Sequence, residues 1–290
     1  MRKDATLKLE TKNREMGFAF GLTDRGLVRE ENEDSFAIEE RDGDYLLGVF
    51  DGMGGMRKGD VASAIIKEKF LETAEKEKEW NEETIKRIIH EANRDIYSYS
   101  KERGFEGQMG TTAVIGLIKN GEKLYYLNIG DSRLYLLRDG KLKKLTNDHT
   151  LVELQRKKGI ISEKEAKESN LKNVLTKAVG IRREVEPELY KSVELREDDI
   201  ILLCSDGLYN MVHEKNIRRV LLNRKLTVKE RAERLISMAK RNGGEDNITV
   251  VIYDRKGLSR KKSGIKTFIL LLLMAILTLI LMWMFKVIKL

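Results

Sequence analysis

The chain has 290 residues, of which 41% are apolar and 35% charged, and its formal net charge is +8. This length and apolar content allow one large domain or two small ones with a buried core, which excludes disorder and fibrous repeats for most of the chain. A single cysteine, Cys204, excludes an intrachain disulfide, and three histidines are too few to favour a zinc site of the usual ligands.

The positive charge is concentrated near the C-terminus. Residues 255–290 contain eight Lys and Arg and no Asp or Glu, so residues 1–254 carry equal numbers of basic and acidic side chains. A neutral globular part does not support a nucleic-acid-binding surface, and we expect no nucleic-acid partner. No apolar segment precedes Met16, so no secretory signal peptide is expected.

Apolar runs of strand length recur along residues 1–254. They lie at 17–22, 45–50, 112–118, 124–129, 133–137, 200–204 and 248–253. Amphipathic patterns predict helices over 58–74 and 83–101. Two helices followed by strands with tight turns at 120–121 and 139–140 favour antiparallel sheets over repeated βαβ units. The charged segment 148–172 is predicted to be a surface flap, with a solvated helix as the alternative.

Two Asp-Gly pairs stand out because each ends a strongly apolar run. Asp51 follows the run 45–50, and Asp206 follows the run 200–205. A carboxylate at the exit of a buried strand is held by a rigid element, which suits metal ligation; turn chemistry is the alternative. The Asp-Gly pairs at 42–43 and 139–140 lie among polar residues and fit hairpin turns.

Further acidic residues flank predicted strands. Glu33 and Asp34 precede the strand-like 35–38, Asp131 follows 124–130, and Asp246 precedes 248–253. Each one alone is also compatible with a solvated loop charge. Together they indicate an oxygen-rich site, which selects hard cations such as Mg²⁺ or Mn²⁺.

Seven motifs resemble, in order, those of the metal-dependent protein phosphatase 2C family in its bacterial form. They are R-x-x-N-E-D at 29–34, V-F-D-G-M-G-G at 49–55, G-T-T at 110–112, G-D-S-R at 130–133, L-T-x-D-H-T at 145–150, C-S-D-G-L at 204–208 and D-N-I-T at 246–249. The resemblance implies an α+β fold over 1–254: a four-layer α-β-β-α sandwich of two antiparallel sheets flanked by helices. It also implies a protein serine/threonine phosphatase that hydrolyses phosphoserine and phosphothreonine.

The same resemblance implies a site for two Mn²⁺ or Mg²⁺ ions, with a third, weaker ion in bacterial members. It assigns Asp51 to both ions, with the Gly52 carbonyl and Glu33 on one of them. The resemblance places Asp206 and Asp246 on the other ion. A hydroxide that bridges two such ions attacks phosphorus in line and needs no protein nucleophile.

The resemblance also assigns roles to three further residues. Asp34 supports bound water, Asp131 matches the third-ion position, and Arg29 grips the substrate phosphate. A planar guanidinium fork suits phosphate oxygens; a surface salt bridge with a neighbouring glutamate is the alternative for Arg29.

The loop after Asp51 departs from the family pattern. Met53 and Met56 stand where relatives commonly carry a histidine that can protonate the leaving group, so this loop offers no histidine as general acid. Cys204 is expected to be a small buried residue, and a structural role is favoured for His149.

An uncharged run at 267–285 is long enough to cross a hydrocarbon core as a helix; a buried core helix is the alternative. Six Lys and Arg in the linker 255–266 place the preceding domain in the cytoplasm by the positive-inside tendency. We therefore expect a single-pass cell-membrane protein with a short extracytoplasmic tail at 286–290. Its expected partners are phosphorylated proteins and a cognate Hanks-type Ser/Thr kinase, and a monomer is expected. The alternative function is a weak or inactive pseudophosphatase, a membrane-tethered phosphoprotein-binding module.

Overall fold

The computed structural model describes residues 13–54, 58–162, 165, 169, 171 and 173–256. The predicted membrane span at 267–285, the tail at 286–290, nearly all of the linker, Met56 and parts of the flap lie outside the described residues. Within the described ranges, no helix is long and apolar enough to cross a membrane.

Two sheets form the centre of the fold, and neighbouring strands in both are antiparallel, as predicted. The first contains, in spatial order, β1 (Asn13–Met16), β2 (Ala19–Asp24), β13 (Ile248–Asp254), β12 (Ile200–Cys204), β8 (Arg133–Arg138) and β9 (Lys141–Lys144). The second contains β10 (Glu188–Leu189), β7 (Lys123–Ile129), β6 (Ala113–Lys119), β4 (Asp44–Met53) and β3 (Asp34–Arg41), with β11 (Val193–Glu194) beside β7 and β5 (Gly110–Thr111) beside β4.

Helices cover the outer face of each sheet. The long helices α1 (Gly59–Lys76) and α2 (Glu82–Glu102) pack on the second sheet, while α5 (Glu214–Leu222) and α6 (Val228–Arg241) pack on the first. Two shorter helices, α3 (Leu151–Lys157) and α4 (Asp206–Tyr209), lie in connections. Asn81 and Thr227 form capping boxes that fix the starts of α2 and α6.

The central strands are buried on both faces, which explains their continuous apolar sequence. In β12, Ile201 and Leu203 face the other sheet, whereas Ile200, Leu202 and Cys204 face the helices. Successive side chains of a strand point to opposite faces, so each strand supplies two cores at once. Three apolar cores result, one between the sheets and one beneath each helical layer.

Tight turns join several strands where the sequence predicts them. Asn120 and Asp139 have φ of 52° and 50°, each followed by a glycine with positive φ. These are the conformations that two-residue hairpin turns require. The hairpins fix the register of β6 against β7 and of β8 against β9.

The topology gives the sandwich two distinct ends. At one end of the sandwich, two strands end and four strands begin: β4 and β12 end there, and β3, β6, β8 and β13 begin there. We call this the carboxylate end. At the opposite end, β13 finishes at Asp254 beside the start of β12, and the described part of the chain stops at 256. The seven residues of β13 separate the two ends by about 20 Å.

Candidate active site

A cleft of about 310 Å³ opens at the carboxylate end. It brings together seven of the eight residues that the sequence singled out, from segments far apart in the chain. These are Arg29, Glu33, Asp51, Gly52, Asp131, Asp206 and Asp246. The eighth, Asp34, does not line the cleft.

Asp51 is held by the backbone of β4 and by two threonines of the G-T-T motif. Its N–H donates to Thr112 Oγ1 at 3.0 Å, and its carbonyl accepts from the Thr112 N–H at 2.8 Å and from Thr111 Oγ1 at 2.9 Å. The Thr112 hydroxyl also contacts Ser132 Oγ at 2.7 Å. The Asp51 carboxylate therefore projects from a main chain that is fixed on both sides.

Asp34 lies opposite Asp51 in the β3–β4 register but points away from the cleft lining. Its Oδ2 accepts hydrogen bonds from Ser205 Oγ and Thr249 Oγ1, both at 2.7 Å. Burial raises the pKa of Asp34 to about 7, although the two hydroxyls oppose this. Asp34 thus ties the two sheets together directly behind the cleft.

The carboxylates of the cleft disfavour one another's ionisation. Burial, followed by repulsion from neighbouring acids, raises the pKa values of Asp51 and Asp206 well above the ordinary value. The side chain of Asn210 supports the second of these, because its Nδ2 donates to Asp206 Oδ2 at 3.1 Å. Burial and the charge of Asp148 raise the pKa of Asp131 to about 6. Positive charge in the cleft would favour the ionised forms of Asp51 and Asp206.

The start of α1 packs against the end of β4 with no room for side chains between them. A Cβ on Gly52 would lie 2.1 Å from the Gly59 carbonyl oxygen, and one on Gly59 would lie 2.8 Å from the Gly52 carbonyl carbon. This approach places the Glu33 carboxylate beside the Gly59 backbone. Burial raises the pKa of Glu33, and the hydrogen bond from Gly59 opposes that rise.

Arg29 stands at the mouth of the cleft, with a side chain that is 52% exposed. Its Nη2 donates to Asp246 Oδ2 at 2.8 Å. Burial would lower the pKa of Arg29, but the carboxylate of Asp246 outweighs that effect and raises it. This ion pair directs the guanidinium toward the cleft. The alternative from the sequence, a salt bridge between Arg29 and a neighbouring glutamate, is not the contact that the structure shows.

None of the described residues that line the cleft is a histidine. His149 lies elsewhere: its Nδ1 accepts from the Gly130 N–H at 3.1 Å, and its Nε2 contacts Glu188 Oε2 at 2.7 Å. This supports the structural role predicted for it. Cys204 is buried beneath the helices, and burial raises its thiol pKa, which agrees with a structural role.

Six lining residues were not predicted as site residues. Two of them, Met53 and Gly54, follow Gly52 in the V-F-D-G-M-G-G motif. Thr112 and Asn247 belong to motifs of the resemblance, and Asn247 is a hub: its Oδ1 accepts from the Glu33 N–H, and its Nδ2 donates to two backbone carbonyls. Asn173 and Leu175 come directly after the flap predicted at 148–172. Thr150 and Leu175 form a β-bridge, which brings the chain back to the cleft after α3. This pairing joins residues far apart in the chain, so no local sequence pattern predicts it.

The chemistry of the donors fits hard divalent cations. Five carboxylates line the cleft, with no histidine or cysteine among the described lining residues. As the side chains lie, no group of three or more Asp, Glu, His and Cys among the described residues could hold an ion. The cleft therefore fits such cations by the type of its donor atoms and by its negative charge. At Gly52, the close approach of α1 leaves no room for a side chain.

Comparison with known proteins gives a consistent result. Residues 12–248 match the family Protein phosphatase 2C. The chain is 38% identical to the serine/threonine phosphatase stp of Listeria monocytogenes serotype 4b (strain F2365) over 243 residues, which cover 80% of this chain and 94% of that one.

Solved structures of bacterial phosphatases share the fold. The Mycobacterium tuberculosis serine/threonine phosphatase PstP/Ppp matches with a TM-score of 0.74 and 37% identity, covering 81% of this chain and 97% of that one. The catalytic domain of PstP in complex with two manganese ions matches with a TM-score of 0.71 and 36% identity, covering 81% and 96%. This chain belongs to the protein phosphatase 2C family and is a serine/threonine phosphatase. Phosphatases of this family use Mn²⁺ or Mg²⁺.

Proposed function

We propose that this protein hydrolyses phosphoserine and phosphothreonine in proteins at a site for two Mn²⁺ or Mg²⁺ ions. The observation that carries the proposal is the convergence of five carboxylates and Arg29 in one cleft. Their charges oppose one another in the described structure, and divalent cations would neutralise them. When bound, such ions supply an activated water and neutralise charge on the phosphoryl group.

The residues of the cleft have separate proposed tasks. Asp51 would serve both ions, with the Gly52 carbonyl and Glu33 on one side of the cleft. Asp206 and Asp246 would serve the other side. The two sides would thus draw on different sheets, since the first group lies at β3 and β4 and the second at the end of β12 and the start of β13.

Two further residues complete the proposed site. Asp131 would hold the third, weaker ion, and Arg29 would bind the phosphate of the substrate. The Nη2 of Arg29 is engaged by Asp246, and its remaining N–H groups are suited to phosphate oxygens. Because no histidine lines the described cleft, the proton for the leaving serine or threonine oxygen would come from water.

The test is hydrolysis of a phosphothreonine peptide by the full chain in detergent, with Mn²⁺, Mg²⁺ or a chelator. We expect turnover with either metal and none with the chelator. Binding of the phosphopeptide without turnover in the presence of both metals would instead support the pseudophosphatase alternative.

We further propose that residues 267–285 anchor the protein in the cell membrane, with 255–266 as a basic linker on the cytoplasmic side. The support is the uncharged run and the Lys and Arg that precede it. Asp254 lies at the end of the sandwich opposite the cleft, so the chain leaves the described domain on the side away from the cleft.

Fractionation tests the anchor. We expect the full chain in the membrane fraction after a high-salt wash and its release by detergent. A chain ending at 256 should be soluble, because the three cores lie within the described residues. Release of the full chain by salt alone would contradict a spanning helix.

The cognate partner is proposed to be a Ser/Thr kinase of the Hanks type whose products are the substrates of this enzyme. Phosphoproteomics after removal of this protein should show rising phosphoserine and phosphothreonine at the sites which that kinase modifies. No overlap between the two sets of sites would contradict the pairing.

A further inference from the structure

Tyr209 lies outside the seven sequence motifs and outside the cleft lining, yet it contacts one of the cleft carboxylates. It is the last residue of α4, the single turn that begins at Asp206. Its hydroxyl lies 3.0 Å from the Asp131 carbonyl oxygen and 3.2 Å from Asp131 Oδ2. One short helix therefore carries Asp206 itself and a hydrogen-bond donor to Asp131.

The ring of Tyr209 is held in place by Arg133. The guanidinium carbon of Arg133 lies 3.4 Å from the ring centroid, a cation–π contact. Arg133 is in turn fixed by Asp148, with Nη2 to Oδ2 at 2.6 Å and Nε to Oδ1 at 3.1 Å. Its Nη1 also donates to the Tyr135 hydroxyl at 3.1 Å. The hydroxyl of Tyr209 thus has little freedom to move away from Asp131.

We infer that Tyr209 is a positioning residue that orients the Asp131 carboxylate and sets the affinity of the cleft for the divalent cation nearest Asp131. The inference rests on the proposed function. A phenol has one proton, and here it has two acceptors on the same residue. Because a carboxylate has two oxygens, the hydroxyl can donate to Oδ2 while Oδ1 stays available to a cation. Loss of such an outer partner typically weakens metal binding by about 10–100-fold.

The experiment is calorimetric titration of the full chain in detergent with Mn²⁺ alone. For Tyr209→Phe we expect the weakest Mn²⁺ site to lose about 10-fold in affinity, with the tighter sites unchanged. Asp131→Asn should remove the weakest site, and adding Tyr209→Phe to Asp131→Asn should change nothing further, because the two residues act as one unit. Tyr97→Phe is the matched control, since it removes a phenol that contacts Glu106 on the protein surface.

Several results would overturn the inference. Unchanged Mn²⁺ affinity in Tyr209→Phe would do so, as would equal weakening of every site together with a lowered Tm, which indicates general damage to the fold. An additional loss in the double variant would show that Tyr209 does not act through Asp131. If the unaltered protein hydrolyses phosphopeptide and binds Mn²⁺, these results concern Tyr209 only; if it does neither, the proposed function fails and this inference with it.

Discussion

Asp206 illustrates how a functional residue can oppose folding. Burial and the neighbouring acids raise its pKa, so its ionised form is disfavoured in the folded protein. A folded-state pKa above the unfolded value of about 3.9 means that this carboxyl lowers stability once the pH rises above that unfolded value. Cations that bind the cleft would reverse this effect.

Replacing Asp206 with Asn should lower the phosphatase activity and raise the stability of the metal-free protein. We expect phosphatase activity to fall by more than the roughly 10–100-fold that is typical when a metal ligand loses an outer partner. The metal-free variant should unfold a few degrees higher than the metal-free wild type, because one repelling charge is gone. Activity assays with Mn²⁺ and thermal unfolding with a chelator measure the two effects.

Asp139→Asn is the matched control for this change. Asp139 is also followed by glycine, but it lies in an exposed hairpin with a side chain that is 74% exposed. Both activity and Tm should stay near wild type, because a surface ion pair contributes little. An active Asp206→Asn enzyme would contradict the assignment of Asp206.

At the scale of elements, the junction of α1 with β4 shapes the cleft. Gly59 begins α1, and any side chain there would meet the Gly52 backbone and the Glu33 carboxylate at 2.8 Å. Helix propensity alone would favour alanine over glycine at position 59 by about 1 kcal/mol. The close contact with Gly52 and Glu33 outweighs this preference and favours glycine.

Gly59→Ala should therefore lower activity at least about 10-fold by displacing the cleft backbone, since small misplacements at an active site cost up to about 10²-fold. Gly116→Ala in β6 is the control, because its Cβ would meet leucine side chains at an ordinary 3.4 Å. Comparing kcat/KM of the two variants tests this; equal activities would show that the α1–β4 approach is not critical.

The pair of Arg133 and Asp148 joins β8 to the segment that leads into α3. Burial raises the pKa of Asp148, but Arg133 and Lys144 outweigh burial and bring it below the ordinary value. An acid with a lowered folded-state pKa contributes stability that is complete above its unfolded pKa of about 3.9 and is lost as pH falls through the folded value.

Asp148→Asn should lower the free energy of unfolding at pH 7 by about 3 kcal/mol, because it leaves the largely buried Arg133 without its partner. The difference from wild type should stay constant down to about pH 5 and shrink below about pH 4. Urea unfolding across this pH range measures it. A difference that grows on acidification would have the wrong sign for this pair.

At the scale of the whole molecule, Asp34 of β3 links the two sheets, because it accepts hydrogen bonds from Ser205, which follows β12, and from Thr249 of β13. The cleft lies at that junction, so cation binding there should stabilise the whole domain. A ligand at about 100 times its Kd adds about 2.7 kcal/mol to stability.

We therefore expect saturating Mn²⁺ to raise the Tm of the protein by roughly 5–10 °C, at about 2–4 °C per kcal/mol for a domain of this size. Thermal unfolding with Mn²⁺ and with a chelator measures the shift, and Asp206→Asn should show a smaller one. The same Tm in both conditions would contradict cation binding at the junction of the sheets.

The sequence by itself determined the longer apolar strands, the two long helices, the hairpin turns and the acidic character of the site, but not the short strands β1, β5, β9, β10 and β11. Apolar runs of strand length, amphipathic spacing and Asn-Gly or Asp-Gly turns are local signals, and the helix predicted at 58–74 lies within two residues of α1 at both ends. The order of the motifs indicated the family, which the comparisons confirm.

Only the tertiary structure decided which partners these residues have. Arg29 pairs with Asp246, 217 positions away, and not with an adjacent glutamate; Asp34 faces the sheet junction and not the cleft. The hydroxyl of Tyr209 reaches Asp131 across 78 positions. Such contacts depend on how strand ends from distant segments meet in space, and no short-range periodicity of a sequence encodes that.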